Sequence, residues 1–413
     1  MLDIKYIREN PEFVKKAVAD RHDDAPIDKI LELDAQRRQK VGELDSLRQQ
    51  RKAVSKEREK AQETGRKLRT DIQNLEEDVR RLDSQLEELL LDVPNTPQPD
   101  VPIGVDDNDN VVRRTWGEPR TFDFEPAPHW QLGEDLDIID FERGVKISGT
   151  RFYVLKGLGA RLQRALIAFM LDLHTTQHGY REVYPPYMVK RDCMVGSAQL
   201  PRLDENIYRD VEDDLWLVGT AEIPVTNLHR DEILAKEDLP IHYVSYTACF
   251  RREKMSAGRD TRGIKRGHQF DKVELYKFVE PDTSADELEK LTADAEDVCR
   301  KLDLPYRVRE LCTGDLGFHS MKSYDIDVWA PGCKEWLEVS SCSNCGDFQA
   351  RRANIRYRPA PDARPQFVHT LNGSGLALPR VMIAVMENYQ LPDGTIAVPE
   401  VLQDFVKARL IGK

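Results

Sequence analysis

The 413 residues are enough for two or three domains, and a composition of 40% hydrophobic and 32% charged residues is typical of a globular chain. No apolar run has the length of a membrane span and the N-terminus lacks a signal-peptide core, which excludes a membrane protein and predicts a cytoplasmic one. The net charge of −12 does not exclude nucleic acid, because local charge decides that question, and the seven cysteines lack the spacing of a disulfide framework.

Residues 28–92 have the pattern of a long helical hairpin. They contain no proline and one interior turn signal, around Gly65. Apolar residues in the second half recur at alternating steps of four and three, a heptad seam formed by Leu68, Ile72, Leu75, Val79, Leu82, Leu86 and Leu89. Two antiparallel helices joined at Gly65, each of about 33 residues, would form a coiled-coil arm of about 50 Å.

The charge on this arm is uneven. Residues 37–69 carry twelve Lys or Arg and five Asp or Glu, a net +7, so the rest of the chain is at −12 − 7 = −19. A solvated coiled-coil face would explain many charged helices. Separation of positive charge toward a tip suits a phosphate backbone better than self-pairing does, so both interpretations stay open at this point.

The remaining chain predicts an α+β domain. We assign residues 1–104 to an N-terminal domain, 105–130 to a linker and 131–413 to the second domain. Strand-like runs follow one another without regular βαβ alternation, which favours an antiparallel sheet flanked by helices. Helical patterns occupy 157–177, 284–303 and 377–390.

The segment 249–270 reads as strand, basic loop, strand. It holds seven basic residues, namely Arg251, Arg252, Lys254, Arg259, Arg262, Lys265 and Arg266. Because side chains alternate along a strand, Arg251 and Glu253 are expected on one face of the first strand, and Phe270, Glu274 and Tyr276 on one face of the second. Guanidinium groups bind phosphate or carboxylate, and an aromatic ring stacks on a base, although an exposed basic loop is the simpler alternative.

Two later stretches also suit a nucleotide. Glu338 and Ser341 lie near one strand end and offer oxygen ligands of the kind that Mg²⁺ takes on phosphates. In "LNGSGLALPR" (371–380) a strand passes through glycines into a helix, where backbone can approach a ligand and a helix N-terminus favours an anion. Arg380, early in that helix, could reach a phosphate.

Five segments in order resemble class II aminoacyl-tRNA synthetases, and among them the seryl-tRNA synthetase family. "GYREVYPPYMV" (179–189), with Pro186, resembles motif 1, "FRRE…GRDTRG…HQFDKVE" (250–274) motif 2 and "NGSGLALPR" (372–380) motif 3. "VGTAEIPV" (218–225) is similar to the serine-family loop and "EVSSCSNCGDFQARR" (338–352) to a seryl-specific block. With the helical arm, the resemblance spans nearly the whole chain.

The resemblance implies an antiparallel catalytic sheet of six or seven strands and a homodimer formed partly through motif 1. It implies that serine and ATP give seryl-adenylate and pyrophosphate, and that the seryl group then passes to the 3′ end of tRNA(Ser). The same implication extends to tRNA(Sec). ATP would be a substrate, Mg²⁺ the metal, and the arm the element that grips the tRNA.

Residue roles are also implied, position by position. Arg251 would be catalytic, on the serine carboxylate and the α-phosphate, and Arg380 would be catalytic on the γ-phosphate. Serine would be bound by Thr220, Ala221, Glu222, Arg251, Glu274 and Ser374. ATP would be bound by Arg251, Arg252, Glu253, Phe270, Glu338, Val339, Ser340, Ser341 and Arg380, with Phe270 on adenine and Mg²⁺ reached through Glu338 and Ser341.

The chain departs from the family pattern at Lys254, Met255 and Pro379, and none of these positions carries an implied role. Two other functions are open: an amino acid ligase that charges a carrier protein, which would be expected to lack the arm, and an inactive RNA-binding paralogue. The paralogue would be expected to have lost Arg251, Glu274 or Arg380, and all three are present. A zinc site at Cys342 and Cys345 lacks two further ligands nearby, and His268, His319 and His369 are interpreted as structural.

Overall fold

The computed structural model describes residues 1–54, 61–254 and 262–412, and the chain divides into two compact units, Met1–Thr96 and Pro97–Lys413. No helix in these ranges is long and apolar enough to cross a membrane. Met255 and Arg259 lie outside the described residues.

The first unit is helical, with α1 (Ile4–Glu9), α2 (Pro11–Asp20), α3 (Ile27–Val54) and α4 (Ala61–Leu91). Helices α3 and α4 pack along each other, and Leu44 of α3 lies against Ile72 and Leu75 of α4. Most of the predicted seam is buried, at Leu68, Ile72, Leu75, Leu82 and Leu86. The predicted helical hairpin is confirmed.

The predicted turn position is wrong. Helix α3 ends at Val54 and α4 begins at Ala61, so Gly65 lies inside α4 and not between the two helices. A single glycine in a helix costs about 1 kcal/mol relative to alanine, an amount that the packing of a 31-residue helix tolerates.

Ion pairs between α3 and α4 lie in the basal and central parts of the hairpin. Arg37 pairs with Asp83, Lys40 with Asp78 at 2.7 Å and Arg48 with Glu76 at 2.8 Å. Farther toward the tip, four exposed basic residues have no ion-pair partner in the part of the chain that the structure describes. They are Arg51, Arg66, Lys67 and Arg69.

The second unit is α+β. Its helices are α5 (His129–Asp135), α6 (Phe141–Ser148), α7 (Gly157–Thr176), α8 (Arg191–Gly196), α9 (Glu222–Thr226), α10 (Ser284–Lys301), α11 (Phe348–Ala353), α12 (Leu378–Asn388) and α13 (Glu400–Val406). Its strands are β1 (Val111–Trp116), β2 (Ile139–Asp140), β3 (Val154–Leu155), β4 (Arg181–Glu182), β5 (Met188–Lys190), β6 (Leu215–Leu217), β7 (Ile233–Ala235), β8 (Ile241–Phe250), β9 (Gln269–Val279), β10 (Tyr306–Glu310), β11 (Lys322–Ala330), β12 (Glu335–Gly346), β13 (Arg356–Arg358), β14 (Gln366–Phe367), β15 (His369–Ala377), β16 (Ile396–Ala397) and β17 (Leu410–Ile411).

The main sheet has eight strands within the described ranges, in the order β1-β10-β11-β12-β15-β9-β8-β4. Its pairings are antiparallel apart from the short β4, which pairs in parallel with β8. The expected antiparallel sheet is confirmed, whereas the implied count of six or seven strands is too low. The added strands are the two-residue β4 and β1, which lies in the stretch 105–130 assigned to a linker and pairs with β10.

Each face of the sheet packs against different elements. On one face, Val273 and Leu275 of β9 share a large core with α7, α10 and α12. On the opposite face, Tyr276 and Phe278 join a second apolar cluster. Since successive side chains alternate, Phe270 and the residues at 272 and 274 point to the second face.

Candidate active site

A cavity of about 360 Å³ opens on this second face and is lined by residues from six separated parts of the chain, which lie within 199–207, 219–223, 250–272, 317–323, 338–343 and 372–380. Many of the residues implied by the resemblance line it, namely Thr220, Glu222, Arg251, Glu253, Phe270, Glu338, Val339, Ser341, Ser374 and Arg380. Its volume is within the range of small-molecule sites.

Arg251 is the first residue after β8. Strand β8 ends at Phe250, and Glu253 has a φ of 49°, so the expected placement of Arg251 and Glu253 on one strand face is wrong. A left-handed residue cannot continue an extended strand. The guanidinium of Arg251 donates from Nε to the carbonyl of Gly219 at 3.1 Å and lies 5.2 Å from the ring centre of Phe270. This contact holds the planar group at the cavity wall.

Thr220, Lys272 and Glu274 form a buried polar cluster at the inner end. Thr220 Oγ1 donates to Glu274 Oε2 at 3.1 Å, and Lys272 forms an ion pair with the same carboxylate. Glu274 Oε1 is buried and has no hydrogen-bond partner among the described residues. Burial is the main cause that raises the pKa of Glu274, against the lowering effect of Lys272. The free oxygen suits a ligand donor such as an ammonium or hydroxyl group.

Glu222 lies beside this cluster at the start of α9. Its carboxylate accepts from Gln349 Nε2 at 2.5 Å and from Asn372 Nδ2 at 3.4 Å, and His319 Nε2 lies 3.3 Å away. Burial raises the pKa of Glu222, and Lys272 opposes that shift. His319 therefore contacts the site, contrary to the structural role expected from the sequence.

Strand register brings Ser374 to the same place. Ser374 of β15 pairs with Glu274 of β9, and its side chain lines the cavity. Its carbonyl accepts a hydrogen bond of 2.6 Å from Ser340 Oγ, which places Ser340 behind the wall. Ala221 is fully buried beside Thr220 and does not line the cavity.

The outer end of the cavity is formed by β12 and the start of α12. Arg380 donates from Nη1 to the carbonyl of Glu338 at 2.6 Å and lies 3.3 Å from its carboxylate. Ser341 lies on the same strand and faces the cavity with Glu338. Next to Ser341 on β11, Asp325 is buried, and burial together with the charge of Glu338 raises its pKa well above the usual range. The outer end of the cavity therefore combines several carboxyl and hydroxyl oxygens with the guanidinium of Arg380.

The basic loop residues divide into three groups. Lys265 and Arg266 line the cavity, where Lys265 pairs with Glu335 and Arg266 lies 3.5 Å from Glu253. Two others lie over aromatic rings, Arg252 at 4.4 Å from Tyr208 and Arg262 at 4.7 Å from Trp130. The side chain of Lys254 is exposed.

Other features expected to be structural lie apart from the cavity. His268 hydrogen-bonds the carbonyl of Arg251 at 3.0 Å, and His369 bonds Ser284 at 2.9 Å. Cys342 and Cys345 are three residues apart on β12, so their side chains point to opposite faces. Within the described ranges, this pair belongs to no group of three potential metal ligands.

Sequence reasoning missed Lys272, Gln349 and Asn372. The alternation that predicted Glu274 also places Lys272 on the same face, two residues earlier, so the signal was present in "FDKVE". Gln349 and Asn372 reach Glu222 from α11 and β15, and only the folded chain brings them together.

Comparison with known proteins identifies the family of the chain. A family described as the seryl-tRNA synthetase N-terminal domain matches residues 1–97, and the tRNA synthetase class II core domain (G, H, P, S and T) matches residues 204–389. A serine–tRNA ligase of Dehalococcoides mccartyi is 63% identical over 412 residues, covering 100% of both chains. The relatives give no support to a carrier-protein ligase or an inactive paralogue.

Two solved structures match the whole chain. The crystal structure of seryl-tRNA synthetase from Pyrococcus horikoshii complexed with ATP is 40% identical with a TM-score of 0.94, and covers 100% of this chain and 99% of that chain. The cytoplasmic serine–tRNA ligase of Naegleria fowleri in complex with AMP is 30% identical with a TM-score of 0.91, at the same coverage.

Proposed function

The chain belongs to the seryl-tRNA synthetase family and is an ATP-dependent serine–tRNA ligase, and we propose that the cavity described above carries out both steps of this reaction. In the first step a serine carboxylate oxygen bonds to the α-phosphorus of ATP as the bond to the β-phosphate oxygen breaks, giving seryl-adenylate and pyrophosphate. In the second, a ribose hydroxyl at the tRNA 3′ end attacks the seryl carbonyl and AMP leaves. The observation that carries this proposal is the convergence of separate sequence segments on one cavity.

The inner cluster is proposed to bind serine. Thr220, Glu222 and Ser374 line one end of the cavity. Glu274 is not a lining residue, but it is joined to the lining residues Thr220 and Lys272, and its Oε1 is buried with no hydrogen-bond partner among the described residues. The serine ammonium and hydroxyl are the donors that such oxygens require. Alanine lacks the hydroxyl and would leave a buried polar group unpaired, whereas threonine must be excluded by the cavity walls.

Arg251 and the outer end are proposed to bind ATP. The ring of Phe270 is proposed to stack on adenine, near Glu253. Arg251 lies between the adenine end and the serine end, so its guanidinium is suited to bridge the serine carboxylate and the α-phosphate. The serine carboxylate is already a nucleophile, so the protein supplies positioning and positive charge and no general base. Arg380 completes the charge at the γ-phosphate.

Glu338 and Ser341 are proposed to hold Mg²⁺ together with ATP. A carboxylate and a hydroxyl are hard oxygen donors of the kind that Mg²⁺ takes beside phosphates, and both line the outer end of the cavity. Bound Mg²⁺ would neutralise part of the triphosphate charge. Arg380, at 3.3 Å from the Glu338 carboxylate, fixes the direction of that side chain.

The helical arm is proposed to bind the tRNA by its backbone. The N-terminal domain, assigned to 1–104, carries net positive charge at 37–69, and the exposed cations near the tip lack ion-pair partners among the described residues. Such contacts do not read sequence, so tRNA(Ser) and tRNA(Sec) would share them. Residues 131–413 would carry the chemistry, with 105–130 between the two domains.

The homodimer is proposed to form partly through 179–189. In this segment Tyr184 is 77% exposed and Met188 44% exposed, and large exposed apolar side chains are the usual mark of an interface. A cytosolic location is supported by the cysteines, all seven of which are free.

Serine-dependent exchange of labelled pyrophosphate into ATP tests the catalytic proposal. We expect exchange with L-serine and at least about 100-fold weaker exchange with alanine. Absence of exchange with serine, or equal exchange with alanine, would contradict the proposal. Loss of pyrophosphate exchange in an Arg251→Ala variant that keeps the melting temperature of the unsubstituted chain would locate the reaction in this cavity.

A further inference from the structure

His129, in α5, lies outside the proposed substrate-binding residues and makes a direct contact with the basic loop. Its Nε2 accepts a hydrogen bond of 3.2 Å from the backbone N–H of Ile264. Ile264 is 1% exposed, and a buried N–H without an acceptor is costly. The imidazole is therefore the group that satisfies the main-chain N–H of Ile264, in the described segment 262–268 that precedes β9.

A buried carboxylate fixes the orientation of this imidazole. Glu387, at the end of α12, accepts from the His129 backbone N–H at 2.9 Å and lies 3.0 Å from His129 Nδ1. The same carboxylate accepts from the Cys333 backbone N–H at 2.9 Å and from its thiol at 3.0 Å. Since Nε2 must accept from Ile264, the proton is on Nδ1 and points to Glu387. Helix α12, whose first turn carries Arg380, is thus linked through His129 to the loop.

The sequence of the loop fits this contact. Gly263 has a φ of 74°, and a Cβ placed there would lie 2.0 Å from His129 Nε2. Arg262, next to Gly263, and Trp130, next to His129, make a second contact, in which the guanidinium lies 4.7 Å from the centre of the ring. Both the glycine and the aromatic ring are what close docking of the loop on α5 requires.

We propose that His129 is a positioning residue for adenylate formation, which holds Ile264 and thereby sets the cavity-lining residues Lys265, Arg266 and Gly267. The inference rests on the proposed function for its kinetic consequence. Arg266 lies 3.5 Å from Glu253, which is assigned to the adenine end, so displacement of the loop acts on ATP first. The proposed serine cluster is formed by residues of β9, β15 and α9 and by Thr220 just before α9, and its Thr220–Glu274 hydrogen bond does not involve Ile264.

A metal ion bound by His129, Cys333 and Glu387 is the competing explanation, because their ligand atoms lie within 4.8 Å of one another. A neutral imidazole that binds a metal through Nδ1 carries its proton on Nε2. That proton would point at the N–H of Ile264, and two donors that face each other cannot form a hydrogen bond. The observed bond to Ile264 therefore favours the hydrogen-bonded arrangement over a metal.

The test compares His129→Ala with His129→Gln, because glutamine offers an acceptor and a donor of similar spacing. In pyrophosphate exchange we expect His129→Ala to raise the KM for ATP about tenfold with the KM for serine changed less than about twofold. His129→Gln should recover most of that loss. An unchanged KM for ATP in a folded His129→Ala protein, or a glutamine variant as impaired as alanine, would overturn the proposal.

Gly263→Ala disrupts the same contact from the other side without altering α5. Gly394→Ala is its control, since Gly394 has a φ of 81° and open space around its Cβ position. We expect a raised KM for ATP in the first variant and an unchanged one in the second. Equal behaviour of the two glycine variants would contradict the proposed contact.

Hydrogen–deuterium exchange separates this inference from the proposed function. The peptide that contains Ile264 should exchange faster in His129→Ala than in the unsubstituted chain, whatever the chain catalyses. If hydrogen exchange of this peptide were unchanged, the proposed contact would be overturned even if catalytic activity fell. If hydrogen exchange were faster but the unsubstituted chain showed no serine-dependent activity, only the proposed function would be overturned. Stoichiometric zinc in the purified chain would also overturn the contact.

Discussion

Thr220 Oγ1 and Glu274 Oε2 are joined by a hydrogen bond of 3.1 Å, although 54 residues separate them in the chain. The bond directs one carboxylate oxygen to Thr220, while Lys272 neutralises the group. The other oxygen remains buried with no partner in the described part of the chain. A buried acceptor of this kind is costly unless a ligand uses it, so the proposed serine site would be built at the expense of stability.

Glu274→Gln should therefore impair serine binding and leave ATP binding intact. The amide keeps the shape but loses the charge that faces the serine ammonium and Lys272, so we expect the KM for serine to rise about 100-fold. Pyrophosphate exchange at varied serine and varied ATP measures both constants. Glu280→Gln is the matched control, because Glu280 follows the same strand and forms a partly exposed pair with Lys236 at 3.2 Å. A comparable rise in the control would refute the assignment.

Arg251→Lys should reduce the rate of adenylate formation by about 100-fold. Lysine keeps the charge but cannot contact a carboxylate and a phosphate with a planar fork, and it cannot keep both the Phe270 and Gly219 contacts. Single-turnover formation of seryl-adenylate measures this step. Arg209→Lys, which alters a guanidinium at 5.1 Å from the Trp216 ring outside the cavity lining, should leave the rate unchanged.

The sequence predicted the parts of the site that lie on regular strands or within recognisable motifs. Glu274 and Phe270 followed from period-two alternation, and Arg380 from its place after a glycine-rich turn. No sequence pattern links His319 to Glu222, and only the folded chain brings its Nε2 to 3.3 Å from that carboxylate. The contacts of Arg252 and Arg262 with aromatic rings also become visible only in the folded chain. A sequence does not distinguish an arginine that lies over an aromatic ring from one that binds phosphate.

The sequence predicts the fold correctly where the apolar periodicity extends over many residues. The prediction fails where it depends on a single glycine or on a short charged strand. The α4 heptads predict the hairpin, whereas Gly65, which has the pattern of a turn, is helical because it lies within the packed helix α4. Strand β1 was missed because two of its side chains are arginines that pair with acids of neighbouring elements, Arg113 with Glu310 and Arg114 with Glu296. A charged edge strand does not show the apolar alternation on which strand prediction depends.

Glu287→Gln should destabilise the second unit in a pH-dependent manner. Burial alone would raise the pKa of Glu287, but hydrogen bonds from Lys290 and Lys277 outweigh it and hold the pKa at about 2, below the ordinary 4.5. A lowered carboxylate pKa contributes stability that is present above pH 4.5 and is lost as the pH falls toward 2. The substitution leaves Lys277, 1% exposed, without its carboxylate partner at 2.9 Å.

At pH 7 we expect this variant to lose about 3 kcal/mol, a fall in melting temperature on the order of 5 °C. The difference from the unsubstituted chain should shrink as the pH is lowered from 4.5 toward 2. Glu289→Gln on the same helix is the control, since Glu289 pairs with Arg114 at 3.6 Å near the surface and should cost about 0.5 kcal/mol or less. Thermal melts across this pH range measure both, and a pH-independent difference would exclude the ion-pair explanation.

Replacing the three tip cations Arg66, Lys67 and Arg69 with alanine should weaken tRNA binding without affecting adenylate formation. All three are exposed and lack an ion-pair partner among the residues described, so they are available to phosphates. Each lost phosphate contact reduces the slope of log binding constant against log salt concentration by about 0.7–0.9. The slope of the triple variant should therefore be smaller by about two. Aminoacylation at varied tRNA and binding at varied salt measure these effects, with pyrophosphate exchange expected to be unchanged.

The matched control replaces three cations that α4 already neutralises, Arg37, Lys40 and Arg48. Their removal deletes the same formal charge. In the unsubstituted chain each of the three pairs with a carboxylate of α4, and the carboxylates that lose their partners lie between the middle of α4 and its C-terminal end, away from Arg66, Lys67 and Arg69. If tRNA bound through overall charge alone, the two triple variants would weaken binding equally. If the tip is the contact, the salt slope should fall in the tip variant and stay within about 0.5 of the original in the control.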